Sequence, residues 1–395
     1  MLSKISLSTT IILFFFAFIP SFIFVVFNQS SITLGIMISI FFVSLYQAVI
    51  GEFKFNYRVL VLSLWIMIWL FITSYSNIMT NPTKVGLSVF FVFLYLNFAY
   101  QLSIQIKKND SKDFFHITVV LCRVLLFIGI VSLFFKLDVL GYSAYSKSIF
   151  TFYEPSHYAL VLVAFLMPSF YIVSYKEKLL YFFILLCFGL VFPSVIILIV
   201  AFLSAFSILN KRIFLLSVIG AVLGFLMITP QTEQLLYFYE RLNFSENTSN
   251  LTALVYMQGW YDAYYSFIET TGIGLGFQMA GENTETWINY RIYDLSGGYM
   301  NRNDGSFTAS KLISEFGVLG VFFVLSYLIV FIKSIRAIKN GIRNKNIDFS
   351  MISNFFIISY VIEMFFRSAG YFTIGTLMLF VGIMLRYFGN AQINN

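Results

Sequence analysis

Charged side chains at the ends of apolar segments are the residues of this chain whose types suit phosphate and proton chemistry. Arg367 follows Glu363 by four residues, so on one helix the two would share a face and pair in the favoured acid-to-base order. A planar guanidinium also binds phosphate through two parallel hydrogen bonds. We therefore favour a phosphate contact for Arg367 over a purely structural pair with Glu363.

Glu154 is a candidate for proton chemistry. It stands directly before Pro155 in the sequence YEPSHYAL, and proline at a first helical position predicts that a helix starts there. An acid at that place is stabilised by the positive end of the helix dipole, which gives Glu154 a capping role. Its second interpretation is a carboxylate that acts on a ligand at the outer mouth of the segment. The residue alone leaves both roles open.

Arg123 lies in the middle of an apolar segment, where an unpaired charge is costly even on the milder insertion scales. It therefore either contacts a ligand anion or forms a buried pair with a glutamate. Phe135, at the outer end of the same segment, is roughly 18 Å away along a helix. That depth slightly favours the pair over a contact with a headgroup in the outer leaflet.

The stretch 231–311 is the one long polar run of the chain. It contains three aspartates, six glutamates and the arginines Arg241, Arg291 and Arg302. Tyr outnumbers Phe by nine to five there, whereas elsewhere Phe outnumbers Tyr by 45 to 16. Phenols and indoles such as Trp260 combine an apolar face with a hydrogen-bonding group, which suits a polyhydroxylated ligand. The alternative is an extramembrane cap whose Tyr and Trp residues mark the membrane interface.

The composition excludes a soluble globular class. Hydrophobic residues make up 59% of the chain and charged residues 11%, which is typical of a polytopic integral membrane protein. The net charge of +7 comes from basic residues between apolar segments, where they set topology, so we predict no nucleic-acid partner. Cys122 and Cys187 lie in apolar segments, and the only histidines are His116 and His157. We therefore predict no metal site and no cofactor.

Apolar segment lengths predict the number of membrane spans, because a hydrocarbon core of about 30 Å needs about 20 helical residues. The run 179–209 is too long for one span and has Pro193 near its middle. If the run forms two short helices that turn at Pro193, most Lys and Arg residues of the short loops lie on the cytoplasmic side, as is usual for membrane proteins. The first run is too long for a signal-peptide core, so it is a retained span. About twelve spans result: 7–27, 32–50, 59–76, 85–104, 114–136, 157–175, two within 179–209, 213–229, 316–332, 349–366 and 371–388.

The predicted fold is therefore all-α, with about twelve transmembrane helices and one large extracytoplasmic loop. Nine helices occupy 1–230, the large loop is 231–311, and three helices occupy 312–395, with both ends of the chain inside. The two halves show no internal repeat, which counts against a transporter built from repeats.

Five short motifs follow one another between about 114 and 388, with a proline-broken apolar hairpin and the large loop among them. They are YEPS at 153–156, GIGLG at 272–276, DGS at 304–306, EFGVLG at 315–320 and FRSAGY at 366–371. In this order and topology, the chain resembles the O-antigen polymerases of the Wzy type, which are related to the O-antigen ligases. The resemblance implies a GT-C-like polymerase/ligase architecture.

The resemblance also implies an inverting, metal-independent glycosyltransferase of the cell inner membrane of a Gram-negative bacterium, with its active site on the periplasmic side. The donor would be a growing glycan on undecaprenyl diphosphate, and the acceptor a new lipid-linked repeat unit. Membrane lipid and a chain-length-regulator protein are the other partners implied. The acceptor proton needs a carboxylate base, for which the candidates are Glu154, Asp304 and Glu315, in that order. The predicted substrate-binding residues are Arg123, Arg241, Arg291, Arg302, Arg367, Tyr153, His157, Trp260 and Tyr371.

Two departures from the family affect this interpretation. Ligase relatives place a histidine in the loop shortly before the position of Glu315, and Ser306 stands near that place here. An O-antigen ligase, the first alternative, is thereby disfavoured. An arginine often found before the Trp260 region is replaced by LTAL at 251–254. The second alternative is a flippase or other transporter of lipid-linked oligosaccharides, which would place its polar residues between helices at the midplane.

Overall fold

The computed structural model describes residues 4–29, 31–74, 82–135, 140–145, 147–208, 219, 233–344 and 346–388. Within these ranges the chain forms fifteen α-helices, a 3₁₀ turn at Tyr142–Ala144 and no β-strand. The helices are α1 Lys4–Val26, α2 Ile32–Val49, α3 Tyr57–Thr73, α4 Pro82–Lys107, α5 Ser111–Phe134, α6 Pro155–Ile172, α7 Tyr175–Val191, α8 Val195–Ile208, α9 Glu233–Arg241, α10 Leu251–Glu269, α11 Trp287–Ser296, α12 Thr308–Asn344, α13 Phe349–Ser359, α14 Val361–Phe365 and α15 Ile374–Tyr387.

The predicted all-α class is confirmed for the described residues. Six of the described helices, namely α1, α2, α4, α5, α6 and α12, are long and apolar enough to cross a membrane. The shorter apolar helices are α3, α8, α13 with α14, and α15. These helices are compatible with a membrane protein. The predicted span 213–229 lies outside the described residues except for residue 219, and the count of twelve stays a prediction.

The long apolar run 179–209 contains two helices. α7 ends at Val191 and α8 begins at Val195, with Pro193 between them. The two helices pack against each other, and Gly189 allows their close approach, because a Cβ there would lie 2.5 Å from a methyl group of Leu198. The hydroxyl of Ser194 accepts a hydrogen bond from the backbone N–H of Ile197 (3.4 Å), so it caps the new helix.

Helix α6 forms the centre of the helical part. It packs against α5, α8, α13 and α15, and residues on all its faces are buried. A helix that is hydrophobic all round is stable only when other elements surround it. α6 begins at Pro155, so the position of Glu154 is fixed by a helix that is buried on all its faces.

Helices α9, α10 and α11 lie in the stretch predicted as the large loop, and α12 supports them. α10 packs along α12, with Gly259 against the ring of Phe307. The loop after α10 is held to α12 by backbone hydrogen bonds from Gly276 N–H to Glu315 O (2.8 Å) and from Val318 N–H to Gly272 O (2.8 Å). α12 bends at Gly317, whose φ is 54° and ψ is −124°. The bend separates residues 308–316, which pack with the loop, from the long apolar arm.

Candidate functional site

A cavity of about 720 Å³ lies where the first turns of α6, α8 and α10 meet the last turn of α9. We call it the large cavity. Its lining carries the charged side chains Lys147, Glu154, Arg241 and Arg367. Much of the remaining lining is apolar and includes Val195, Ile196, Ile199, Leu242, Phe244, Leu251 and Val255. Three basic residues against one acid make the lining positive, and its volume is that of a typical small-molecule site.

Glu154 faces this cavity from the N-terminus of α6. It occupies the N-cap position at the positive end of the helix dipole, but its side chain makes no capping hydrogen bond to the backbone of α6. Its carboxylate accepts a hydrogen bond from Ser156 Oγ (2.8 Å) and lies 3.6 Å from Arg367 Nη2. The side chain is 43% exposed, which leaves part of the carboxylate open to a ligand.

The surroundings of Glu154 lower its pKa. Burial alone would raise it, but His157, Arg367, the Ser156 hydroxyl and Arg241 together act more strongly in the opposite direction. Partial desolvation at a helix start predicts a raised basicity for Glu154, and that prediction is wrong, because its pKa is lowered here. Glu154 is ionised at neutral pH, which is the state a proton acceptor needs.

Arg367 reaches the cavity from a turn that follows α14. This helix ends at Phe365, so the predicted pairing of Glu363 and Arg367 on one helical face is wrong. Glu363 is buried and accepts a hydrogen bond from Thr373 Oγ1, whereas Arg367 lies beside Glu154. The Ser368 N–H donates to Ser306 O (3.1 Å). The DGS and FRSAGY motifs therefore meet beside the cavity.

Arg241 and Lys147 share one aromatic ring. The Arg241 guanidinium lies 4.1 Å from the centroid of Tyr237, and Lys147 Nζ lies 4.5 Å from it. The Tyr237 hydroxyl donates to Pro193 O (2.9 Å), so the break between α7 and α8 positions this ring. Burial, together with the nearby positive charge of Arg367, lowers the pKa of Arg241. An anion in the cavity would oppose both effects, because its negative charge stabilises the protonated guanidinium.

Tyr153 and His157 lie next to Glu154, one turn apart. Tyr153 lines the large cavity, and its hydroxyl is 2.6 Å from His157 Nε2. Burial raises the pKa of Tyr153, and the charge of Glu154 raises it further, so the phenol stays protonated. His157 itself is buried beneath the cavity, with 5% of its surface exposed.

Several predicted site residues are not in the lining of the large cavity. Arg123 pairs with Glu177 Oε1 (2.5 Å) and donates to the Tyr181 hydroxyl (3.1 Å). Glu177 is in the first turn of α7, and the other end of that helix adjoins Pro193 in the cavity wall. The separation along α7 is about 24 Å. Arg123 therefore pairs with a glutamate and makes no contact in the cavity, but its side chain is 56% exposed, so the predicted burial of the pair is wrong.

Glu315 and Tyr371 form a hydrogen bond with each other. The Tyr371 hydroxyl donates to Glu315 Oε2 (2.8 Å), and Oε1 accepts from Ala280 N–H (3.3 Å) and lies 3.9 Å from Lys311 Nζ. Glu315 is 1% exposed. This carboxylate holds the loop before α11 on α12, and its geometry does not fit a base for a substrate in the large cavity.

The remaining predicted residues lie between positions 260 and 304, outside the cavity lining. Arg302 pairs with Glu285 (3.3 Å) and lies over the Tyr299 ring, and it therefore serves to hold the loop. Trp260 packs on Phe307. Arg291 lies on α11. Asp304 is exposed and is near Gly370, in the turn that carries Arg367.

Sequence reasoning missed Lys147, Tyr237 and Tyr256 as members of the cavity lining. Lys147 belongs to the same short connection as Tyr153. Its closeness in sequence to a predicted site residue could have identified it. Tyr237 and Arg241 are four residues apart on α9, the spacing at which two side chains of one helix meet. Tyr256 has no such signal, because only the packing of α10 brings it to the cavity.

Comparisons of the chain with family models and with curated protein sequences find no match. The site must therefore be interpreted from its own geometry. It combines three cations, one ionised carboxylate, several tyrosines and many apolar side chains. Such a site suits an amphiphile with an anionic headgroup, whose charge the cations stabilise and near which the carboxylate can accept a proton.

Proposed function

We propose that this protein is a surface-polysaccharide polymerase of the O-antigen polymerase type. It would transfer a growing glycan from undecaprenyl diphosphate to a new lipid-linked repeat unit, on the periplasmic side of the bacterial inner membrane. The observation that carries the proposal is the large cavity, whose lining combines three basic side chains and the partly exposed Glu154 carboxylate with many apolar side chains. A lipid diphosphate offers the matching combination of negative charge and apolar surface.

The proposed reaction is a single displacement with inversion. The acceptor hydroxyl attacks the anomeric carbon of the donor sugar, and Glu154 takes the hydroxyl proton as the new C–O bond forms. The bond between the anomeric carbon and the diphosphate oxygen breaks, and its electron pair leaves on the diphosphate. Arg367, Arg241 and Lys147 would stabilise that charge, a contribution worth ~10² to 10³ in rate for one well-placed group.

Binding of the diphosphate would also tune the base. The same cations that lower the pKa of Glu154 in the free protein would be engaged by the diphosphate. Partial neutralisation of those cations raises the pKa of a neighbouring carboxyl group. Glu154 would therefore become a stronger base only when the donor is bound.

The two alternatives have weaker support. A ligase would need a base near position 306, and the Ser306 hydroxyl, although it lines the cavity, donates to Val255 O (2.6 Å). A serine hydroxyl is also no general base at neutral pH. A transporter would hold its ligand near the middle of the helices, whereas the large cavity adjoins the first residues of α6 and α8.

Glu154→Gln tests the proposal, because it keeps the side-chain shape and removes the base. In proteoliposomes supplied with the lipid-linked repeat unit of the source bacterium, we expect the variant to lose chain growth by at least ~10²-fold. The isosteric control is Glu246→Gln, an exposed residue outside the cavity lining. Normal chain growth by Glu154→Gln combined with loss in Asp304→Asn would move the base to Asp304.

A deletion strain separates the classes of function. A polymerase mutant still carries one repeat unit on its surface lipid anchor, a ligase mutant carries none, and a flippase mutant strands the unit inside the cell. Surface glycan analysis of the deletion strain therefore supports the proposal only if single repeat units remain.

A further inference from the structure

A second, much smaller cavity lies beneath the large one. Its volume is about 30 Å³, and its lining includes Ser21 of α1, His157 of α6 and Glu363 of α14. We call it the small cavity. Its other walls are largely apolar, among them Phe152, Leu160 and Ile374. A space of this size holds one water molecule when two to four polar groups are there to bind it.

Polar atoms with unused hydrogen-bonding capacity line this cavity. Glu363 is 2% exposed and Ser21 is 4% exposed. Glu363 Oε2 accepts from Thr373 Oγ1 and Thr376 Oγ1. Within the described part of the chain, Glu363 Oε1 receives no well-aligned hydrogen bond and Ser21 Oγ has no partner. Buried polar atoms of this kind are normally satisfied by protein or by ordered water.

His157 connects the small cavity to the large one. Its ring lines the small cavity, and its Nε2 atom is 2.6 Å from the hydroxyl of Tyr153, which lines the large cavity. An imidazole can take up a proton at one ring nitrogen and release one from the other. A continuous chain of hydrogen-bonded groups from Tyr153 to Glu363 would thus need only one more hydrogen-bonding group between His157 and Glu363.

We propose that the small cavity binds one water molecule, held by Ser21 and Glu363, which joins His157 to Glu363 and opens a proton path from the large cavity to this buried carboxyl group. The path runs from the Tyr153 hydroxyl through His157 and the water to Glu363. Besides these groups, the charged side chains near its entrance are Glu154, Arg367 and Asp304. Glu363 is thereby assigned a role in proton exchange, not only in packing.

This inference rests on the proposed function for its purpose in the reaction. Donor and acceptor glycans would fill the large cavity and block the direct route from Glu154 to solvent. A proton released in the closed cavity would pass to the Tyr153 hydroxyl as this hydroxyl gives its own proton to His157, and the water would pass one on to the carboxylate form of Glu363. Glu363 then holds the proton as a carboxylic acid until the products leave, when the proton returns by the same path to the open cavity, so one proton moves and no further charge is created.

Infrared spectroscopy of the purified protein in lipid tests the path without any substrate. The spectra are recorded at a pH low enough to populate the acid form of Glu363. The carboxylic acid C=O band that disappears in Glu363→Gln belongs to this form, and its shift after transfer to D₂O measures proton exchange. We expect exchange to slow at least about tenfold in His157→Phe and in Ser21→Ala, the effect of a barrier raised by one strong hydrogen bond. Ser39→Ala is the matched control, because Ser39 is also buried but donates to Gly35 O within α2.

Two results would overturn the proposed path. The first is proton exchange of Glu363 in Ser21→Ala that is as fast as in Ser39→Ala. This comparison remains informative even where His157→Phe fails to fold. The second is a Glu363 band that does not exchange in the wild-type protein.

The infrared result is independent of glycan transfer. Slowed exchange in a protein that builds no polymer would refute the proposed function alone, and normal polymerisation with unchanged exchange would refute this inference alone.

Discussion

Glu154 shows how a residue at a helix start acquires a chemical role from its tertiary neighbours. The helix dipole of α6 and the nearby Arg367 both favour the carboxylate form. Since the side chain does not cap its own helix, both oxygens remain directed to groups outside the backbone. The Glu154 carboxylate is therefore both ionised and exposed to the large cavity.

The lowered pKa of Glu154 gives a pH prediction. A base with a lowered pKa stays ionised above that pKa, and its activity is lost as the pH falls through it. kcat/KM reports ionisations of the free enzyme, so its acid limb should lie below the ordinary range of a glutamate. Arg241→Gln removes one of the cations that lower this pKa, so the limb should move upward, by about one pH unit at most.

The control for this shift is Arg291→Gln, at a position on α11 outside the cavity lining. The acid limb of that variant should coincide with the wild-type limb. An acid limb that stays in place in Arg241→Gln would show that Glu154 is not the group titrating.

Arg367→Lys tests whether the guanidinium geometry of this residue is needed to bind the diphosphate. Lysine keeps the positive charge but lacks the planar fork that binds two phosphate oxygens. We expect polymerisation to fall by ~10²-fold in membranes that contain normal amounts of protein. Arg291→Lys should polymerise normally. Full chain growth by Arg367→Lys would remove this arginine from the diphosphate site.

The sequence predicted some members of the site and misplaced others for identifiable reasons. Glu154 and Arg367 were predicted because charges at the ends of apolar segments are rarely accidental. The supposed pair of Glu363 with Arg367 failed because α14 ends at Phe365, and the spacing rule holds only within one helix. Arg302 and Glu315 pair with residues that the folding of the loop and the tertiary structure bring near them. Such pairs have no regular spacing in the sequence, so periodicity does not predict them.

Among the elements, the bend of α12 at Gly317 supports a stability prediction. A Cβ at this position would lie 2.0 Å from Gly272 O, and the φ of 54° disfavours any side chain. The backbone conformation alone costs about 1–3 kcal/mol for a residue other than glycine, and the clash adds to it. We expect Gly317→Ala to lower the unfolding temperature in detergent and to expose the loop 270–286 to proteases.

Gly86→Ala is the matched substitution. Gly86 lies inside α4, and a Cβ there meets nothing within 4 Å. Alanine favours a helix over glycine by up to about 1 kcal/mol, so this variant should be as stable as the wild-type protein or more stable. Equal unfolding temperatures for the two variants would contradict the packing of the GIGLG and EFGVLG segments against each other.

Element prediction succeeded where apolar length or proline decided the outcome. The break at Pro193 follows from a run that is too long for one helix and from a residue that ends helices. The helices α9, α10 and α11 could not be placed in the same way. Their positions depend on contacts such as Tyr237 with Pro193 and α10 with α12. These contacts are set by tertiary packing.

For the whole molecule, the described contacts define two ends. The large cavity marks one end, beside the start of α6. The other end is marked by the hydrogen bond from Ser111 Oγ to Ile347 O (2.8 Å) and by that from the Tyr171 hydroxyl to Asn346 O. α6 runs between the two ends over about 26 Å, close to the thickness of a hydrocarbon core. The second end carries the basic residues Lys107, Lys108, Lys112, Lys176, Lys178 and Arg343.

This distribution of charge predicts the orientation of the molecule in the membrane. Short loops rich in Lys and Arg face the cytoplasm, so the large cavity should face the periplasm. In a variant without Cys122 and Cys187, we place single cysteines at two exposed positions, Glu246 near the cavity and Lys176 at the basic end. A membrane-impermeant maleimide should label Glu246→Cys in intact spheroplasts and Lys176→Cys only after permeabilisation. The reverse labelling would put the cavity in the cytoplasm, where a periplasmic polymerase could not use it.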